Sequence, residues 1–196
     1  LCHVVVGNDF QFGKGRSGTA ADLARMGAEM GFDVTIADMI QGSQGRVSST
    51  AIRQALADGD PRHAAEMLGH WHRIDGPVIS GEQRGRDLGY PTANMSVDGL
   101  HLPKLGVYAV LVEVKEGPHK GNYHGVASLG VRPMFGENTP NLETFIFDFQ
   151  GDLYGTHLSV GLVDYLRPEL KFDGLDALIT QMDADSAKAR EILAAL

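Results

Sequence analysis

Between Ile74 and Leu166 the apolar residues come in short runs broken by glycine, and this restricts the second half of the chain to an all-β arrangement. Gly106 to Val114 sets Val107, Ala109 and Leu111 on one face and Tyr108, Val110 and Val112 on the other. Both faces are apolar, as expected of a strand inside a sheet rather than at its edge. Tyr123 to Leu129, Leu142 to Phe149 and Leu158 to Leu166 read as further strands. Val78-Ile79 leads into a glycine-rich stretch, Glu116-Gly117-Pro118 turns the chain, and Gly130 to Gly136 reads as a loop. About five or six short strands with glycine turns point to a closed or Greek-key barrel. After them, Leu175, Leu178, Ile179 and Met182 fall at helical spacing. Ala187 to Leu196 continues as helix after an expected break near Asp183 to Asp185.

The first part has a different texture. Cys2 to Val6 reads as a buried strand, Ala20 to Met30 as a helix and Phe32 to Ile36 as a second strand. Strand, glycine-containing loop, helix and strand make a βαβ unit with parallel pairing. Ligands in such sheets lie at the carboxyl ends of the strands, which places Asp9, Lys14 and Arg16 near an anion site or in a solvated loop. Ser48 or Ser49 can cap a helix from Thr50 to Asp58, and Arg46 and Arg53 would make its N-terminus attractive to phosphate. Asp60-Pro61 restarts a helix that ends at Gly69. His70-Trp71-His72-Arg73 is the expected linker, which divides the chain into residues 1–70 and 71–196.

The formal net charge of −8 argues against a nucleic-acid partner. No apolar run approaches the roughly 18–20 residues of a membrane span. The single cysteine, Cys2, fits a reducing compartment, and the expected location is the cytoplasm.

The densest chemistry lies between Gly81 and Asn94. Gly81, Gly85 and Gly89 permit close backbone approach, and exposed N–H groups in such a loop suit phosphate oxygens. Pro91 biases Tyr90 towards extended backbone. Thr92 and Asn94 stand two apart, so on a strand both face one side. They supply neutral oxygens, suited to Mg²⁺ already held by phosphates. Spacing alone equally fits a glycine-rich hairpin with turn-forming Thr and Asn. Glu143 opens the strand Glu-Thr-Phe-Ile-Phe-Asp-Phe and could orient an alcohol and take its proton, or simply be a solvated strand-end carboxylate.

Gly85-Arg86-Asp87-Leu88-Gly89-Tyr90-Pro91-Thr92-Ala93-Asn94 resembles the signature of riboflavin kinases. Asp152-Leu153-Tyr154-Gly155 and Arg167-Pro168-Glu169-Leu170-Lys171-Phe172 match the same family. Gly7-Asn8-Asp9-Phe10-Gln11-Phe12-Gly13 and Arg46-Val47-Ser48-Ser49-Thr50-Ala51-Ile52-Arg53 resemble the second half of the FMN adenylyltransferase module. The whole chain is thus similar to bacterial bifunctional riboflavin kinase/FAD synthetases, shortened at the N-terminus.

The resemblance implies an incomplete Rossmann-like α/β part followed by a six-stranded Greek-key barrel and a C-terminal helix. It implies ATP-dependent phosphorylation of riboflavin to FMN, with riboflavin and ATP as small-molecule partners and Mg²⁺ as cofactor. Glu143 becomes the catalytic base, and Thr92 and Asn94 the metal ligands. Gly81, Gly85, Arg86, Gly89, Pro91 and Thr92 contact ATP, while Tyr154, Arg167 and Phe172 lie towards the flavin. Asp9, Phe10, Ser48, Ser49, Thr50 and Arg53 belong to the adenylyltransferase part. The His-x-Gly-His-type motif of that module is absent, so FMN adenylylation to FAD is not expected of the chain as given. Two positions depart from the family: Phe145 stands where histidine is usual and Met134 where threonine is. A non-catalytic flavin- or nucleotide-binding barrel is the alternative reading.

Overall fold

The computed structural model describes the chain except for residues 43–44, 82–88 and 135–136, with the side chains of 132–139 also left out. It divides into two compact units, Leu1–Ser48 and Ser49–Leu196. This structural division falls well before the expected linker at residue 70. The reason is that two helices of the first expected half pack with the barrel.

The first unit holds a parallel pair, β1 (His3–Gly7) and β2 (Asp33–Ala37), joined through helix α1 (Ala20–Met30). Helix α1 starts where expected because Thr19 and Asp22 form a reciprocal capping box, and it ends at Gly31 in the left-handed conformation. β1 is not the buried strand its sequence suggests. Val5 is 64% exposed, since this sheet has only two strands among the described residues and one helix against it.

The second unit begins with α2 (Ser49–Asp58) and α3 (Pro61–Leu68). Asp60 caps α3, with Pro61 in its first turn. Both helices are tied to the barrel. Lys104 N–H donates to Leu56 O at 2.9 Å, and Arg62 Nε donates to Asp164 at 2.8 Å. Gly59 must be glycine: its φ is +81°, and a Cβ would meet the Lys104 side chain at 2.8 Å.

Six antiparallel strands then form the barrel: β3 (Arg73–Pro77), β4 (Thr92–Ser96), β5 (Gly106–Val114), β6 (Gly121–Met134), β7 (Glu137–Ile146) and β8 (His157–Arg167). Their order is β3-β8-β5-β6-β7-β4. The two edges meet where Ile79 N–H donates to Asn94 O at 2.8 Å. Tyr108, Val110, Val112, Leu129, Leu142, Leu158 and Leu162 fill the interior, as alternation requires.

The stretch from Gly130 is strand up to Met134, not the expected loop. Main-chain pairing of β6 with β7 continues to Met134↔Glu137, so a hairpin register overrides the local turn residues. The C-terminal helix α4 (Leu175–Ala194) is also continuous through the expected break. Its acids are not interruptions because each has a barrel-side partner. Asp183 accepts from the Tyr90 hydroxyl, and Asp185 accepts from Arg167. α4 lies over the outer barrel wall, where Ala189 and Leu193 pack with Ala109, Phe147 and Val163. Among the described residues, no helix is long and apolar enough to cross a membrane.

Candidate functional site

The site is built from the pairing of β4 with β7. Thr92 lies opposite Phe145, Asn94 opposite Glu143 and Ser96 opposite Asn141. Side chains that face one another across such a ladder share a side of the sheet, as do residues two apart. Register alone therefore puts Thr92, Asn94, Asn141, Glu143 and Phe145 on one face. The Asn141 amide then ties the set together. Its Nδ2 donates to Glu143 Oε1 at 3.2 Å and to Asn94 Oδ1 at 3.3 Å. Asn94 is only 8% exposed, and its own Nδ2 donates to Thr92 O at 3.3 Å.

Two hollows flank this strand pair. The larger, about 460 Å³, is lined by Gly81, Thr92, Asn94, Thr144, Phe149 and Leu153 among others. The smaller, about 150 Å³, lies between the outer wall and α4, and its lining includes Thr92, Glu143, Phe145, Arg167, Phe172 and Met182. Thr92 borders both. Strand alternation explains the pairing of acid and hydroxyl: Glu143 faces the smaller hollow and its neighbour Thr144 the larger.

Gly81 is shaped to the Asn94 side chain. A Cβ there would lie 2.5 Å from Asn94 Nδ2 and 2.7 Å from Cγ. Pro91 also lines the larger hollow, whereas Gly89, exposed with φ +80°, lines neither. Gly85 and Arg86 lie outside the described residues.

In the smaller hollow, Arg167 is tied to its neighbours. Its guanidinium donates to Asp185 at 2.7–3.0 Å and to Pro168 O at 3.0 Å. It also sits over the Phe172 ring, 5.8 Å from the centroid. Tyr90 closes the opposite wall, its ring 4.8 Å from that of Phe145 and its hydroxyl on Asp183. Burial, with Asp183 alongside, pushes the Tyr90 phenol up to about 12. Phe145 thus gives Tyr90 an apolar wall. The Met134 side chain lies outside the described ones.

Tyr154, which the resemblance groups with Arg167 and Phe172 towards the flavin, borders the larger hollow instead of the one that Arg167 and Phe172 line, and it is 52% exposed. The turn that carries it is fixed by Tyr154 N–H donating to Asp152 Oδ1 at 2.9 Å and Gly155 N–H donating to Val78 O at 2.9 Å. Those bonds hold the turn beside the β3 edge, away from α4.

Asp9, Phe10 and Ser48 belong to the first unit, while Ser49, Thr50 and Arg53 begin the second. Asp9 is paired with Arg46, whose guanidinium holds the Asp9 carboxyl below the usual carboxylate range. Phe10 stacks on Phe12 at 5.9 Å, and Arg53 donates to Ser49 Oγ at 3.4 Å.

Sequence reasoning missed Asn141 and Thr144. Asn141 precedes the aromatic strand and looks like an ordinary strand-start residue. The register with Asn94 and Glu143, rather than any local motif, reveals its place.

Comparison with known proteins agrees with this architecture. The riboflavin kinase family (Flavokinase) matches residues 68–193, and the FAD synthetase family matches residues 1–51. A bifunctional riboflavin kinase/FMN adenylyltransferase of Listeria monocytogenes is 39% identical over 99% of this chain and 61% of its own length. The protein of the same description from Escherichia coli K12 is 41% identical over 96% of this chain and 59% of its own. A solved structure described as a macrolide-efflux protein from Streptococcus pneumoniae superposes with a TM-score of 0.79 at 37% identity, covering 95% of this chain and 60% of that one. The chain thus spans about 60% of the length of these relatives. It belongs to the riboflavin kinase family.

Proposed function

We propose that the barrel transfers the terminal phosphoryl group of ATP to the 5′-hydroxyl of riboflavin, giving FMN and ADP. The observation that carries this reading is the Asn141 amide, which bonds both Asn94 and Glu143 between two adjoining hollows. The larger hollow takes the nucleotide and the smaller the flavin end that reacts.

Glu143 accepts the proton of the 5′-hydroxyl as its oxygen bonds to the γ-phosphorus. The bond from that phosphorus to the bridging oxygen breaks, and ADP leaves with the electron pair. Asn141 holds the carboxylate on the side of Asn94. The Thr92 hydroxyl and Asn94 Oδ1 fit Mg²⁺. They are neutral oxygens on one face, and the Gly81 cradle leaves the Asn94 amide its space. When bound, Mg²⁺ supplies charge neutralisation for the phosphates. Arg167, held by Asp185 and Pro168, shapes the flavin wall through Phe172.

The smaller hollow is below the roughly 300 Å³ typical of ligand pockets. A three-ring flavin enters only if α4 and the segment after β8 draw back. The Tyr90–Asp183 and Arg167–Asp185 contacts are what they must carry with them or release.

The test is incubation with riboflavin, ATP and Mg²⁺, followed by separation of riboflavin, FMN and FAD. FMN supports the kinase. No product favours a non-catalytic binder. FAD would favour the second reading, adenylyl transfer, which the FAD synthetase match over residues 1–51 keeps in play.

A further inference from the structure

Thr144 carries an unusual hydroxyl. It is fully buried, and its Oγ1 is the buried side-chain polar atom that finds no hydrogen-bond partner among the described residues. Leaving a buried hydroxyl unpaired is costly, so native structures rarely do so without a ligand or water to answer it. Thr144 lies on the floor of the larger hollow. Its cross-strand neighbours are both alanines, Ala127 on β6 and Ala93 on β4. These short side chains leave space beside the hydroxyl that longer residues would fill.

Val78, Ile146 and Leu153, with Phe149 packed against the same cluster, give this hollow an apolar end. Phe149 is fixed in place, with the rings of His119 and Tyr123 meeting it nearly at right angles at 5.2 and 5.3 Å. Thr92, Asn94, Gln150, Asp152 and Tyr154 add polar groups to the same lining. A ligand that matches has a charged part for Thr92 and Asn94 and a flat apolar part with an edge that hydrogen-bonds once.

We propose that, at this apolar end, the Thr144 hydroxyl makes the polar contact to the nucleotide's base, and that Thr144 thereby sets how tightly the nucleotide is held through its base. The proposal rests on the larger hollow being the nucleotide side of the kinase reading. A hydroxyl both donates and accepts, so it can pair with a ring nitrogen or an exocyclic amine. The packing against Phe149 is indifferent to base identity, whereas the buried Thr144 hydroxyl, unpaired among the described residues, can read the edge.

The experiment compares wild type with Thr144→Val and Thr144→Ser. Valine keeps the shape and removes the hydroxyl, so folding is retained and the melting temperature holds or rises. Binding of ADP and of inorganic tripolyphosphate is measured by calorimetry, and KM for ATP and for riboflavin by FMN formation. Thr144→Val is expected to weaken ADP and raise KM for ATP by about 3- to 10-fold, the worth of one neutral hydrogen bond. Tripolyphosphate binding and KM for riboflavin stay at wild-type values, and serine restores ADP affinity. Unchanged ADP affinity in Thr144→Val overturns the proposal, as does an equal loss for tripolyphosphate. If wild type bound ADP but formed no FMN, the kinase reading would fall while the subsite was still tested by the ADP measurements.

Discussion

Asn94 and Glu143 are direct cross-strand partners, and one amide, that of Asn141, hydrogen-bonds to both. The Asn94 amide oxygen and the Glu143 carboxylate are therefore not independently placed. A shift of either is felt by the other through a single side chain.

Glu143→Gln keeps the size and the Asn141 contact region but removes the proton acceptor. It is expected to lower kcat by about 10²- to 10⁴-fold with KM for ATP nearly unchanged. Steady-state FMN formation checks this; a wild-type kcat would remove Glu143 from the proposed role.

Asn141→Ala leaves both partners in place but unlinked. We expect a loss of about 10-fold or more in kcat and a higher Mg²⁺ concentration for half-maximal rate, as for other groups that orient a ligand from behind. A Mg²⁺ titration that overlays wild type would show that the amide only fills space.

Gly81→Ala inserts a methyl 2.5 Å from Asn94 Nδ2, so the amide must turn away. The expected result is a fall of roughly 10- to 100-fold in kcat/KM for ATP, with riboflavin binding preserved. Calorimetry with each substrate separates the two.

Asp185→Ala leaves the Arg167 guanidinium largely buried without its carboxylate, their side chains being 16% and 7% exposed. Loss of about 2–4 kcal/mol in unfolding free energy is expected, below the full cost for a wholly buried pair because Arg167 retains some water. Urea denaturation measures it.

Alkaline stability reports on Tyr90. Its folded pKa, about 12, lies above the ordinary value of 10.0, so the neutral phenol is favoured by folding. The contribution is intact below pH 10 and is lost as pH rises through about 12, where the unfolded chain has already released the proton. Tyr90→Phe should flatten the stability profile in that window. An unchanged slope would mean the Tyr90–Asp183 contact is not formed in solution.

Much of this was legible from local pattern. The extent of α1 follows from its apolar spacing, and β5 from its doubly apolar run. Thr92, Asn94 and Glu143 were legible as chemistry-bearing types, and alternation put the first two on one face. Other features were not. The path from Gly130 reads as a loop because glycine and proline dominate it, while long-range pairing with β7 makes it strand. Asp183 to Asp185 reads as a helix break because the partners that neutralise it, Tyr90 and Arg167, are distant in sequence. Tyr154 lies apart from Arg167 and Phe172, which motif membership does not foretell, because it says nothing about which side of a barrel a turn folds over. Asn141 and Thr144 carry no motif of their own, and only the register of three strands gives them meaning.

The peptide bond between Glu143 and Thr144 has a consequence for how such a barrel can change over generations. The acid and the hydroxyl belong to opposite chambers only because consecutive side chains point oppositely. Sliding β7 by a single position would hand each chamber the other's equipment, although composition and fold would look the same. A change in loop length would leave these sides as they are, but an insertion or deletion inside this one strand would turn the acid and the hydroxyl to opposite sides in one step.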